Sequence, residues 1–270
     1  MYSVSDAAKM LNVNEETVRR WIRDGKLQAK RAVGRGGNTL YLEDIIAFAN
    51  TVEVSDVQEV LQRQIDYNMA IAEEGLKNNY GANIGKVLLR AYQPDIKTTA
   101  KAYAAAGSDA RMNGCDLPVI INSGSGNQGM TVSLPVIIYA RHLNVSDEKL
   151  YRALVLSNLL AIHLKFGIGK LSAYCGVVSA ACGSGAAISY LHDAPLSVIE
   201  KTITNTLGNV SGIVCDGAKS SCAAKIALAV ESGIFGYHMY INGNNFKTGE
   251  GIVNSGVEST LKNVGKLASR

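Results

Sequence analysis

The sequence is poor in proline, with 4 in 270 residues, and carries a single tryptophan. Proline that scarce argues against a linker-rich or collagen-like chain, even though glycine is plentiful at 27 residues. Long apolar runs are also missing. The best candidate for a membrane span, Ala153 to Leu164, contains Ser157, Asn158 and His163 and falls short of the ~18 unbroken apolar residues a span needs. No basic stretch followed by an apolar one opens the chain, so no export signal is expected. Cysteine is sparse and odd in number, at five. That excludes a disulfide scaffold and leaves reduced thiols or metal ligands in a cytoplasmic protein. What is present is a folded composition, 47% hydrophobic and 19% charged, long enough for one large or two modest domains.

The small net charge of +4 is unevenly spread. Arg19, Arg20, Arg23, Lys26, Lys30, Arg31 and Arg35 face a single acid, Asp24, whereas the chain from residue 51 onward is nearly neutral. In the first fifty residues Ser3 and Asp6 have capping-box spacing, and Ala7, Ala8 and Leu11 mark an apolar face. Asn14 is the next N-cap, Val18, Trp21 and Ile22 form a helical stripe, and Gly25 ends that helix. A hairpin with Arg35 at its tip and a closing helix from Glu43 to Asn50 complete the segment. VSDAAKMLNVNEETVRRWIRDGKL followed by GRGGNTLYLEDI resembles the MerR/excisionase type of winged helix-turn-helix. The resemblance implies double-stranded DNA as a partner, contacted by Arg19, Arg20, Arg23, Lys26 and Arg35, and a homodimer on its site. The plain alternative is a small helical module with solvated arginines.

A long amphipathic helix is expected from Ser55, with Gln58 in capping-box position, to about Gly75, burying Val57, Val60, Leu61, Ile65, Met69 and Ala72. Beyond Tyr92, helical patterns separated by glycine-rich turns predict a mainly α fold: a winged helix-turn-helix over 1–52, then an all-helical domain over 53–270. Three segments carry chemistry. In Asn122, Ser123, Gly124, Ser125, Gly126, Asn127, Gln128 and Gly129, glycines and polar side chains suit a carboxylate or phosphate, or simply form a turn. Cys175 and Cys182 lie in LSAYCGVVSAACGSG at a spacing that puts both on one helix face, as core cysteines would be. Cys215 and Cys222 bracket Asp216, Gly217 and Lys219. Paired CxxC ligands are absent, which disfavours a structural zinc. Cys175, Cys215 and Cys222 together have the chemistry to hold an iron–sulfur cluster with one iron open.

NSGSGNQG, LSAYCGVVSAACGSG and VCDGAKSSCAAK, with SDARMNG upstream and GEGIVNSGVESTLKNVGKLA near the end, resemble the serine dehydratase α-chain family. Within it they are nearest the L-cysteine desulfidase-like (UPF0597) branch. The resemblance, running from about Val57 onward, implies a helical domain whose cysteines hold a [4Fe-4S] cluster. It implies a lyase that converts L-serine or L-cysteine to pyruvate and ammonia. By position Cys175, Cys215 and Cys222 would be the ligands, and Asn122 to Gly129 would hold the substrate carboxylate. Cys115 and Cys182 would be core residues. Lys219, Asp109 and Ser125 are the candidates for proton transfer, with Lys219–Asp216 and Arg111–Asp109 ion pairs as their structural alternatives. A pyridoxal-phosphate enzyme would also use the loop but would leave the cysteines idle. Members of that branch carry a further region with a Gly-Cys-Thr-Glu-Pro motif, which this chain lacks. Two readings follow: a lyase attached to a DNA-binding module, with a partner chain completing its site where needed, or a transcription regulator whose lyase-like domain senses cysteine, serine or cluster state.

Overall fold

The computed structural model describes residues 4–11, 13–27, 30–31, 38–39, 41–169 and 172–268. Among them are twelve α-helices and a two-residue strand pair, so the mainly α expectation holds. None of these helices is long and apolar enough to cross a membrane. Helix α1 (Val4–Leu11) and α2 (Glu15–Arg23) are joined by a tight turn, with Asn14 capping α2 by accepting from the Thr17 N–H at 2.7 Å. Gly25 follows at φ +70, a left-handed position that suits glycine at a helix end. Strands β1 (Lys30–Arg31) and β2 (Asn38–Thr39) pair antiparallel, and α3 (Leu42–Thr51) closes the segment. Ser3 and Arg35, expected as a cap and a hairpin tip, lie outside the described residues.

The order is that of a helix-turn-helix, and its side chains also pack onto the helices that follow. Trp21 and Phe48, both wholly buried, meet at a ring-centroid distance of 4.8 Å. The Trp21 indole N–H donates to Asp56 of α4 (Val54–Lys77) at 3.1 Å. Arg152 of α8 (Asp147–Ile168) donates to the carbonyls of Ala49 and Val52 at 2.9 and 3.2 Å, satisfying orphan groups at the end of α3. One apolar core therefore runs from Ala8 and Val18 through Leu61 and Ile65 into α8. Helix α4 starts slightly earlier than the expected Ser55 cap: Glu53 is its N-cap, without a side-chain bond.

The remaining helices are α5 (Ile84–Ala91), α6 (Ile96–Met112), α7 (Gly126–His142), α9 (Val177–Leu191), α10 (Leu196–Asn209), α11 (Cys222–Ile241) and α12 (Val257–Ala268). Helices α7 and α9 form the interior, α7 being buried from Gly126 through Ala140. Neither shows the one-sided stripe of a surface helix, because each is surrounded. Helices α9 and α11 lie backbone to backbone where a Cβ on Gly185 would stand 2.8 Å from the Gly233 carbonyl. The small-residue composition of Cys175 to Tyr190 thus serves close packing. This arrangement leaves the first residues of α7, α9 and α11 at one end of the bundle.

Candidate active site

The loop preceding α7 is a two-residue turn. Asn122 and Ser125 exchange backbone hydrogen bonds at 3.1 and 3.0 Å, with Ser123 and Gly124 between them at φ 50 and 80. Two successive left-handed residues make the primed type of turn, which Ser-Gly tolerates. Ser125 then N-caps α7, its Oγ accepting from the Gln128 N–H at 3.4 Å. Asn68 of α4, wholly buried, pins the approach: its Oδ1 accepts from the Ile120 N–H at 2.9 Å, and its Nδ2 donates to Ser133 Oγ at 3.0 Å and Gly129 O at 3.3 Å.

The predicted loop residues divide in two. Asn122 turns inward and donates to Asn158 Oδ1 at 3.0 Å, while Ser123 and Gly124 are exposed at the tip. Asn127 and Gln128 are buried on the other side. Asn127 Oδ1 accepts from Arg111 Nη1 at 3.2 Å, and Gln128 lies against Gly176, where a Cβ would collide with its amide. Gly176 is the N-cap of α9 and follows Cys175, so the loop and the first cysteine segment meet.

The cysteine segments are joined by an isolated bridge between Tyr174 and Val214, in which Cys175 N donates to Ile213 O and Cys215 N to Ala173 O, both at 2.7 Å. Cys222 opens α11, its thiol donating to Gly217 O at 3.6 Å. Burial pushes the Cys175 thiol up, and the nearby Cys215 and Cys222 add to this, against the Val177 N–H and Lys225. The three expected ligands thus share one neighbourhood. Among the described residues no group of three or more His, Cys, Asp or Glu stands arranged to hold a metal ion. Cys182 is wholly buried and Cys115 half-buried, with Cys115 beside the Tyr80 hydroxyl.

Two lysines that sequence reading passed over stand near these thiols. Lys225 donates to Val214 O at 3.1 Å and pairs with Asp216, whose bond raises its pKa, as do Cys222 and Cys175. Lys165 of α8 is lowered by burial and pulled back by Cys175 and Cys215. Only Lys225 left a trace in the sequence, three residues after Cys222 and hence on the same helix face. The first turns of α7, α9 and α11 also point their partial positive charge at this end. Lys165, Lys225 and these helix N-termini border the thiols, with Lys225 shared with Asp216.

Lys219 is half-exposed and pairs with Asp216 at 3.4 Å, the structural alternative to proton transfer. Asp109 is wholly buried, and its Oδ2 accepts from the Gly85 N–H at 3.0 Å. It supplies the cap that α5 lacks, since Asn83 at its N-cap sits at φ 52 and makes no side-chain cap bond. Burial raises the Asp109 carboxyl to about 6, against the backbone N–H groups of Gly85 and Ile84. Arg111 does not pair with it; the guanidinium lies along Gly126 instead. Asn113 ties α6 to the third segment, accepting from Ser220 Oγ at 2.7 Å.

The expected DNA-contacting side chains are engaged within the chain. Arg19 pairs with Glu15 at 2.6 Å, Arg23 with Glu16 at 2.6 Å, Arg20 with Asp56 at 3.5 Å and Lys26 with Glu53 at 3.0 Å. Arg35 lies outside the described residues.

The sequence model of the serine dehydratase alpha chain matches residues 5–270. A UPF0597 protein of Desulfitobacterium hafniense (strain Y51) is 61% identical over 228 residues, 84% of this chain and 53% of its own length. A UPF0597 protein of Lachnoclostridium phytofermentans is 58% identical over 86% of this chain and 55% of its own, and one of Treponema denticola 50% identical over 86% and 55%. The chain spans about half the length of the curated relatives it matches. No solved structure matches it. The family match extends to the N-terminal helices, which gives no support to a fused DNA-binding module.

Proposed function

The chain belongs to the serine dehydratase α-chain family, and from that premise we propose that it is an amino-acid lyase. It eliminates water from L-serine, or sulfide from L-cysteine, to give pyruvate and ammonia. The observation that carries this reading is the meeting of the Asn122–Gly129 loop with the Cys175 segment through Gln128 and Gly176. Substrate recognition and the thiols share one end of the bundle.

Cys175, Cys215 and Cys222 would hold a [4Fe-4S] cluster. Three thiols from adjacent segments fit it in donor chemistry, and they would have to draw together to ligate it. When bound, such a cluster supplies a Lewis-acidic iron for the leaving hydroxide or sulfide. Lys165, Lys225 and the three helix N-termini offset the negative charge that gathers there. Asn127 and Gln128 bind the amino acid, and the buried floor of α7 excludes water. Asp109 is wholly buried and caps α5; Ser125, at the N-terminus of α7, and Lys219, exposed and paired with Asp216, are the proton-transfer groups of this proposal. Reduced thiols suit the cytoplasm. A homodimer, or a further chain supplying what the longer relatives carry, belongs to the same proposal. The regulator reading rests on the helix-turn-helix order of α1 and α2 alone.

Anaerobic reconstitution, with iron, sulfide and visible absorbance measured per chain and pyruvate release followed, tests the reading. Cys175→Ala, Cys215→Ala or Cys222→Ala is expected to abolish loading, and Cys115→Ala to leave it intact. Full iron in Cys215→Ala would overturn the ligand set, and absence of pyruvate from both amino acids with a loaded protein would overturn the lyase.

A further inference from the structure

Two unlike polar groups meet at α7's first turn, one from α6 and one facing the start of α9, each short of a partner. Arg111, next to last in α6, is half-buried and lies so close along Gly126 that a Cβ there would collide with its Nε. Among the described residues its polar contacts are the Asn127 side-chain carbonyl at 3.2 Å and the Met112 sulfur at 3.9 Å. No carboxylate among the described residues forms an ion pair with it. Gln128 is only 7% exposed, and its Oε1 is buried with no donor facing it. Its amide lies on Gly176, beside Cys175.

A guanidinium without a counter-ion seeks an anion, and the first N–H groups of a helix reinforce that preference. A buried carbonyl oxygen without a donor seeks N–H or O–H. One ligand class answers both: a zwitterion with its carboxylate and ammonium on one carbon. We propose that Arg111 and Gln128 form a two-point clamp for a free α-amino acid, Arg111 taking the α-carboxylate and Gln128 Oε1 the α-ammonium. The clamp rests on the amino-acid reading of this site and adds to it Arg111 and the division of labour. With both α-substituents held, the third substituent, the side chain carrying the leaving group, is directed to one place. Gln128 sits on Gly176, so that place is the Cys175 side. Peptides, which carry their free amine and carboxylate on different residues, are excluded.

The test uses the full chain, anaerobically prepared, and calorimetric titration with four probes: L-serine, L-cysteine, cysteamine (no carboxylate) and 3-mercaptopropionate (no ammonium). Arg111→Gln is expected to weaken L-serine, L-cysteine and 3-mercaptopropionate by roughly 10- to 100-fold, the worth of one charged hydrogen-bonded contact, and to leave cysteamine unchanged. Gln128→Leu is expected to weaken the amino acids and cysteamine and to spare 3-mercaptopropionate. Arg111→Lys should recover part of the loss. A merely structural role for Arg111 would weaken all four probes together, and that result overturns the clamp, as does unchanged affinity in Arg111→Gln or the absence of binding by any probe. The two readings separate cleanly. Pyruvate release with an unchanged KM in Arg111→Gln removes the clamp and keeps the lyase; Arg111-dependent binding without turnover keeps the clamp and removes the lyase.

Discussion

Asn68→Ala is the most incisive perturbation of the site's framework. The side chain leaves α4, is wholly buried, and joins three points: the approach to the loop at Ile120, the first turn of α7 at Gly129, and Ser133 one turn on. Truncation does not strand all of these equally. The Gly129 carbonyl keeps the Ser133 hydroxyl, which donates to it at 2.8 Å. The Ile120 N–H loses the acceptor that held it at 2.9 Å and gains none. A stranded buried N–H costs about 1–3 kcal/mol, and the small cavity adds to this, for a total of about 2–4 kcal/mol. At roughly 2–4 °C per kcal/mol for a chain of this size, the melting temperature should fall by about 5–15 °C. Calorimetric or circular-dichroism melting of the variant measures it. Amino-acid binding should weaken more than stability alone requires, since Ile120 leads directly into the turn at Asn122. A fall below about 1 °C with binding intact would refute the reasoning.

Asp109→Asn tests the buried carboxyl. Its folded pKa is raised from 3.8 to about 6, so its contribution to stability is complete below pH 4 and is lost as pH rises through 6, by at most about 3 kcal/mol. The amide keeps an acceptor for Gly85 without the charge, so urea midpoints of variant and parent should converge near pH 4 and the variant should be the more stable at pH 7.5; the opposite order rejects this. Gly176→Ala should leave the helices intact at a cost of about 1–3 kcal/mol while displacing Gln128, so circular dichroism is kept and L-serine binding lost. Trp21→Ala, at about 3–5 kcal/mol, should lower a single melting transition of the whole chain because its core is continuous with that of α4 and α8; an early transition confined to a small fraction of the helical signal would show an independent domain.

What could be read from the sequence was what local rules decide. Asn14 capped its helix, Gly25 ended it, and Val18 and Trp21 lay on the buried face, because capping and periodicity involve residues three or four apart. The glycines and Ser125 of the loop likewise made a turn followed by a helix N-terminus. The gathering of three cysteines was legible only through resemblance, since Cys175 and Cys215 come together by a bridge across the whole of α9 and α10. Partners set by helix register were hidden altogether. Nothing in the spacing says that Asp109 faces Gly85, that Arg111 passes it to lie on Gly126, or that Asn122 donates to Asn158. The Ser55 cap failed for a related reason: Val52 and Glu53 alone separate α3 from α4, and the Asp56 N–H bonds to the Glu53 carbonyl, so the helix begins before the serine.

A helix-turn-helix outline describes a backbone, and its use is decided by the side chains it buries and exposes. The arginine pairs on α2 are solvent-exposed and therefore weak, and they decide little by themselves. The buried contacts decide more. Trp21 donates to Asp56 on α4, and Arg152 of α8 satisfies the last carbonyls of α3, so the first fifty residues brace α4 against α8. Between those two helices Gln64 and Asn158 exchange hydrogen bonds at 3.1 and 2.8 Å, and Asn158 in turn holds Asn122 at the start of the loop before α7. Asn68, one turn along α4 from Gln64, holds the same loop at Ile120. The N-terminal segment thus has a mechanical route to the site, through two helices and two buried amides, that requires no partner outside the chain.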